Sequence, residues 1–165
     1  MQIAYEICIE MLCQREYTIV DKEELKITAR KLDGSTMCVF FIDSQFNADR
    51  CKEYVTLMHA LNITHSIIIN NGSITSSAKK TIECAHDIDI ELFSIEELQT
   101  NITQHDLQPN FTRLTPSENT HFKRKYGIKI PTIVQTDPIA KFFHYKKGDI
   151  IRVERTNNIM YRIVK

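Results

Sequence analysis

Ile130-Pro131-Thr-Ile-Val-Gln-Thr-Asp137-Pro138-Ile-Ala140-Lys141-Phe142-Phe-His-Tyr-Lys-Lys147-Gly148-Asp-Ile-Ile-Arg-Val-Glu-Arg155 is a punctuated unit. A Pro-led extended segment comes first. A helix of little more than one turn follows, capped by Asp137 with Pro138 at its first position, where a missing N–H costs nothing. Lys146-Lys147-Gly148 makes a turn, and residues 149–155 open a hairpin that places Ile151 and Val153 on one face and Ile150, Arg152 and Glu154 on the other. Thr156-Asn157-Asn158 turns the chain, since Asn tolerates left-handed backbone, and Ile159 to Val164 returns beside it. No catalytic group needs that arrangement. A docking surface on a small rigid scaffold does.

Just upstream, Thr115-Pro116-Ser117-Glu118 is a helix start with cap, N1 proline and capping-box glutamate, and Gly127 stops the helix after Tyr126. Its Lys123-Arg124-Lys125 turn suits the negative end of a helix dipole, or a phosphate. Residues 101–109 carry little apolar content and predict an irregular crossing, and a module boundary is placed near residues 97–101.

The first hundred residues have a different texture. Residues 3–14 predict a helix burying Ile3, Ile7 and Met11, with Cys8 and Leu12 beside them. Tyr17–Val20 reads as a short extended piece, while the charged run from Lys22 to Lys31 shows no clear period. After the Asp33-Gly34 turn, Met37–Ile42 predicts a buried strand. A helix over residues 47–61 carries Cys51, Tyr54, Val55, Met58 and Leu61 on one stripe, and Ser66–Ile69 forms a second strand ended by Asn70-Asn71-Gly72. That order implies a crossover between parallel strands. A helix from Ser77 to Cys84, an alternating strand from Ile88 to Phe93 and a short helix begun by Ser94-Ile-Glu-Glu97 complete the module. The fold class is therefore α/β to α+β: a small N-terminal α/β module over 1–97, then a C-terminal α+β module over 98–165 with a terminal hairpin.

At 165 residues and 42% hydrophobic the chain can bury a core as one domain or two small ones. It has no apolar run of membrane-spanning length and no secretory start. Five cysteines without a C-x-x-C pair read as reduced thiols, and nothing calls for a metal or cofactor. The formal charge of zero hides a split. Residues 1–104 hold 9 Lys and Arg against 16 Asp and Glu, and residues 105–165 hold 12 against 5. Two modules facing different surroundings would produce this, as would two halves that attract each other. A basic C-terminal module suits either nucleic acid or an acidic protein.

Residues 101–165 resemble the C-terminal assembly domain of the fifth common subunit of eukaryotic RNA polymerases, the domain of which the archaeal counterpart essentially consists. The matching pieces are Asn101-Ile-Thr-x-His105-x-Leu107-x-Pro109, Leu114 to Glu118, Lys125-Tyr126, Pro131-x-Ile133, Asp137 to Phe142, Lys146-Lys147-Gly148, Ile151-Arg152-x-x-Arg155 and Tyr161-Arg162, in order and at near-constant spacing. The first module resembles, more loosely, the jaw domain of the eukaryotic members. His144 stands where the family usually has Gly, Thr132 replaces the usual Arg, and both the hairpin turn and the jaw are shortened. A divergent polymerase of a large DNA virus or an unusual eukaryote would fit these departures.

The resemblance implies a non-catalytic subunit of a DNA-directed RNA polymerase. It would dock on the largest subunit at the outer cleft, with the sixth common subunit nearby and downstream DNA close to the jaw. Location would be nuclear for a cellular enzyme, and a cytoplasmic replication site or virion for a viral one. The implied interface residues are His105, Pro131, Asp137, Pro138, Ala140, Lys141, Phe142, Lys147, Gly148, Arg155, Tyr161 and Arg162. Phe142 and Tyr161 serve equally as core packing, and Asp137 as a cap alone. Two rival classes remain. A metal-dependent nuclease would take Asp43 as one carboxylate but finds no Asp/Glu-x-Lys on the next strand. A free-standing basic DNA-binding module would bind DNA tightly and with steep salt dependence.

Overall fold

The computed structural model describes residues 1–85 and 87–165, which divide into two compact units, Met1–Thr100 and Asn101–Lys165. Among the described residues no helix is long and apolar enough to cross a membrane.

In the first unit, α1 (Gln2–Gln14) precedes a hairpin of β1 (Thr18–Lys22) and β2 (Lys26–Arg30), followed by β3 (Thr36–Ile42), α2 (Ala48–Ala60), β4 (His65–Asn70), α3 (Ser76–Cys84) and β5 (Asp89–Ser94). The sheet order is β1-β2-β3-β4-β5, antiparallel as far as β3 and parallel from β3 to β5. The expected parallel crossover from β3 to β4 therefore forms, a second one joins β4 to β5, and an antiparallel hairpin is added at one edge. That hairpin uses the charged run that had no clear period. Ile27 and Ala29 point inward and are fully buried opposite Val39 and Met37, while the charged Lys26 and Arg30 point the other way. Alternation of only two small apolar residues among charges is a weak signal until a neighbouring strand covers them.

β3 is buried along nearly its whole length because both of its faces are covered. On one face, α2 and α3 pack Cys51, Met58 and Ala78 against Cys38, Phe40, Ile42 and Ile68. On the other face lies α1, with the Tyr5 ring tilted against Phe41 at a centroid separation of 5.1 Å. The buried stripe of α1 is Ala4, Cys8, Met11 and Leu12, and Ile3 is 51% exposed, so the expected Ile3–Ile7–Met11 face is corrected. The rotation lets Arg15, just past the helix, reach Glu91 of β5 through two bonds of 2.7 and 2.9 Å. Leu61, expected on the α2 stripe, instead lies beyond the helix end and is 47% exposed. The Ser94–Glu97 capping box forms, with Glu97 accepting from Ser94 N at 2.8 Å, but starts only a single 3-10 turn, Glu96–Leu98.

Arg15 and Glu91 are both buried, and Glu91 also meets His65 Nε2 at 2.7 Å. A bidentate pair of this kind holds helix to sheet, but its desolvation cost is large, so its value lies in geometry more than in net energy.

The second unit opens with a 3-10 turn, Ile102–Gln104, then β6 (Asn110–Arg113), α4 (Pro116–Tyr126), β7 (Thr132–Ile133), α5 (Pro138–Phe142), β8 (Ile150–Arg155) and β9 (Asn158–Val164). Its sheet order is β6-β8-β9-β7, with β7 parallel to β9 and the other pairs antiparallel. Residues directly opposite share a face. Ile151, Val153 and Val164 therefore lie on one side, under α5, packed with Ile133, Ile139, Ala140 and Tyr145. Ile150, Arg152, Tyr161 and Ile163 lie on the other side, where Phe122 of α4 sits 4.6 Å from Tyr161. Ile150, expected on a polar face, is fully buried because the sheet is covered on both sides. The hairpin loop is only Thr156-Asn157, since Asn158 already pairs with Arg155, and neither Asn uses the left-handed backbone expected of it.

Three helices end alike. After α1, α2 and α5 the chain enters left-handed backbone at Glu16, Asn62 and His144, with φ of 66°, 52° and 53°. In each case the following residue (Tyr17, Ile63, Tyr145) is buried and donates its N–H back to the helix, to Leu12, Met58 and Ala140 at 2.8–2.9 Å. This is the Schellman pattern with its apolar contact, made without glycine.

Two expected outcomes follow. Arg15→Ala removes the bidentate partner of the Glu91 carboxylate, which keeps His65 Nε2, and should destabilise the first unit by no more than the roughly 3–5 kcal/mol of a fully broken buried pair, whereas Arg15→Met combined with Glu91→Leu should recover part of it; urea denaturation followed by circular dichroism reads both. A thiol reagent should label Cys13 and Cys84, which are exposed, before unfolding. Cys8, whose thiol burial pushes up to about 12, and the buried Cys38 and Cys51 should react only after it.

Candidate functional site

The stretch from Ile130 to Arg155 folds around α5. Asp137 Oδ1 accepts from Ile139 N at 3.0 Å, and Pro138 occupies N1, so two of the four unpaired positions of the helix start are met locally. The helix is short enough that its end matters as much as its start. His144 N donates to Lys141 O at 3.1 Å and Tyr145 N to Ala140 O at 2.8 Å. Tyr145 then anchors the chain, its hydroxyl reaching Phe111 O at 3.3 Å, and burial pushes its phenol well above the usual range. His144 thus sits in left-handed backbone, at φ 53°, a region that favours glycine.

The next turn is closed reciprocally: Lys146 N donates to the Asp149 carboxylate at 2.8 Å, and Asp149 N to Lys146 O at 3.0 Å. Gly148, at φ 91°, donates to Val164 O at 2.9 Å, and its carbonyl accepts from Lys123 Nζ at 2.9 Å and Asn119 Nδ2 at 3.3 Å. Lys123, at the end of α4, therefore spends its charge on a backbone carbonyl, while Lys125 lies over the Tyr126 ring at 5.1 Å.

The residues singled out from sequence do not form one patch. Ala140 and Phe142 are buried inside the unit, so the expectation that α5 presents them is corrected: they pack the sheet and hold the helix. Asp137 is a half-buried cap beside the exposed Pro138, and Lys141 is half-buried. His105 is exposed, its Nδ1 accepting from Leu107 N at 3.2 Å. Pro131 is exposed and its carbonyl accepts from Ile163 N at 2.9 Å, which places it beside β9 near Arg162. Lys147 and Gly148 lie at the β8 start, and Arg155 at the opposite end of that strand. Tyr161 and Arg162, adjacent in sequence, point to opposite faces.

A groove of about 410 Å³ that sequence reasoning missed runs between α4 and β9, lined by Leu114, Ser117, Glu118, His121, Phe122, Lys125, Tyr126 and Tyr161. Phe122 contacts Tyr126 and Tyr161 at ring separations of 4.9 and 4.6 Å. The i, i+4 aromatic spacing of Phe122 and Tyr126 was the available signal. Glu118 is committed to the helix start, its carboxyl held below the usual range by bonds with Thr115.

In the first unit, Asp43 follows β3 and its carboxylate accepts from Asn71 Nδ2 at 2.5 Å. Asn70 ends β4 in register with Ile42 and Ser94, where a nuclease would need a second carboxylate.

The second unit is thus a small sheet covered on both faces, with polar turns at its ends. Comparisons with known proteins identify the family. The family described as "RNA polymerase Rpb5, C-terminal domain" matches residues 100–164. The 454R protein of Invertebrate iridescent virus 6, named as a candidate DNA-directed RNA polymerase subunit, is 33% identical over 98% of this chain and 98% of its own length. The subunit rpabc1 of DNA-directed RNA polymerases I, II and III from Dictyostelium discoideum is 29% identical over 94% of this chain and 90% of its own. The corresponding RPABC1 subunit of Caenorhabditis elegans is 32% identical over 78% of this chain and 65% of its own. A solved structure of apo EndoMS shares 16% identity at a TM-score of 0.38, covering 55% of this chain and 46% of that one, a likeness too slight to bear on the fold. The chain belongs to the Rpb5/RPABC1 family of non-catalytic RNA polymerase subunits.

The two ends of α5 should respond with opposite signs. Asp137→Ala should cost about 0.5–2 kcal/mol through loss of the cap. His144→Gly should stabilise the second unit by up to about 1 kcal/mol through relief of the left-handed penalty. Urea titrations of both variants against the parent chain check the pair.

Proposed function

We propose that this chain docks on the largest subunit of a multisubunit DNA-directed RNA polymerase at the outer cleft, near the sixth common subunit. In this reading residues 98–165 are the assembly domain and residues 1–97 a shortened jaw. The observation that carries it is a coincidence of boundaries: the family match over 100–164 spans the compact unit Asn101–Lys165 almost end to end. The contacts would be spread over more than one face of the unit, through the exposed or half-buried members of the implied set: His105, Pro131, Asp137, Pro138, Lys141, Lys147, Gly148, Arg155, Tyr161 and Arg162. Ala140 and Phe142 support them from within.

Downstream DNA passes near the jaw in this reading. An acidic first half, 9 cations against 16 anions over residues 1–104, repels the phosphate backbone, so the jaw borders the path of DNA without gripping it. The chain works where its polymerase works, in a nucleus for a cellular enzyme and in a cytoplasmic replication site or virion for a viral one. The likeness to an iridescent-virus protein over nearly the whole chain favours the viral setting.

Affinity purification of the tagged chain from its source should bring down the two largest polymerase subunits in fixed stoichiometry. Reversing Lys147, Arg155 and Arg162 to Glu should lower that incorporation by about tenfold or more, at roughly 0.5 kcal/mol per exposed contact. The isolated chain should bind duplex DNA weakly at physiological salt. Tight, steeply salt-dependent binding without any polymerase subunit would instead establish the free-standing DNA-binding module.

A further inference from the structure

We infer, resting on the subunit reading above, that the outer edge of β6 receives an extended segment of a polymerase partner, which pairs with it as a fifth strand of the second unit's sheet. β6 stands at one end of the order β6-β8-β9-β7, so only one side of its backbone is paired within the sheet. The register fixes which groups the other side presents. Leu114 N donates to Ile150 O at 3.0 Å, and bonded pairs alternate along an antiparallel ladder. Thr112 and Asn110 therefore also turn their backbone groups toward β8, opposite Arg152 and Glu154, while Phe111 and Arg113 turn theirs outward. Phe111 O accepts from the Tyr145 hydroxyl at 3.3 Å. The N–H groups of Phe111 and Arg113 and the carbonyl of Arg113 have no partner among the described residues. Donors and an acceptor repeating every second residue along an extended strand are matched by another extended backbone.

Two other sheet edges are guarded against such pairing. β1 is interrupted by a bulge between Ile19 and Asp21 and ends on the charged Asp21 and Lys22, and β7 is only two residues long. β6 instead keeps unbroken register from Asn110 to Arg113, with Asn110, Thr112 and Arg113 exposed. A hollow of about 410 Å³ continues from its end, lined by Arg113, Leu114, Thr115, Pro116, Asn119 and Asp149, and it has room for a side chain of the added segment. Nucleic acid would need cations along the edge. Arg113 is the one charged residue of β6, and its guanidinium lies 3.6 Å from the Asp149 carboxylate.

The test is amide hydrogen exchange of the full-length chain, free and in purified polymerase, read residue by residue by mass spectrometry with electron-transfer fragmentation. Entry into the polymerase should slow exchange at Phe111 and Arg113 by about tenfold or more, while Thr112 and Leu114, already bonded to β8, change less. Arg113→Pro removes an outward N–H and spares the bonds to β8, so it should lower incorporation about fivefold below Arg113→Ala, the effect of one backbone hydrogen bond. Unchanged exchange at both outward amides in an assembled chain overturns the inference and leaves the docking proposal standing. So does equal incorporation of the two Arg113 variants. Protection of these amides that grows with the concentration of the free chain overturns it by placing a second copy on the edge. A chain that never enters the polymerase overturns both.

Discussion

The second unit hangs on β9. It is an inner strand, paired antiparallel with β8 on one side and parallel with β7 on the other, and it contains almost the last residues of the chain. Its backbone holds the three local devices together. Gly148 N and Val164 N tie the Lys146–Asp149 turn to the sheet, Ile163 N meets Pro131 O, and Lys165 N meets Ile133 O. Without that strand β6 and β8 would be a two-stranded ribbon, marginal on its own, and α4 would lose the Tyr161 ring that Phe122 packs against.

From that strand outward the unit is rigid by construction. Face sharing across the ladder puts Ile151, Val153 and Val164 under α5 and Ile150 and Tyr161 under α4, so each face of a four-stranded sheet has its own helix. A subunit whose task is to be held by a larger assembly needs such invariance of shape, because flexible contact residues would lose part of the binding free energy to ordering. The first unit achieves rigidity differently. Its central β3 is sealed by helices on both faces, and the Arg15–Glu91 pair sets the rotation of α1 over the sheet.

Membership of a polymerase-subunit family explains why chemistry is missing from places where the fold would allow it. Strand ends of a parallel layer are common locations for ligands, and Asp43 stands at one of them, yet its neighbour across the ladder is amide, with Asn71 bonded to it. The ordered run of small signals between Asn101 and Arg162 carries the family resemblance, and the function follows from that resemblance, whereas capped starts, proline at N1 and glycine turns follow from local backbone chemistry.

Local devices were therefore legible from the amino acids alone: the Thr115–Glu118 capping box, the Asp137-Pro138 start, the Gly127 stop, the Gly148 turn, the β3 and β4 runs and the crossover joining them. Each depends on neighbours within a few residues, where the physics is short-ranged. Tertiary structure alone decided what depends on a distant partner. It turned Lys26–Arg30 into a strand by supplying β3, and it rotated α1 toward Glu91 seventy-six positions beyond Arg15. It buried Ala140, Phe142 and Ile150. A side chain's exposure is a property of what covers it, and the covering element is chosen by packing across the whole unit rather than by the residues beside it in the chain.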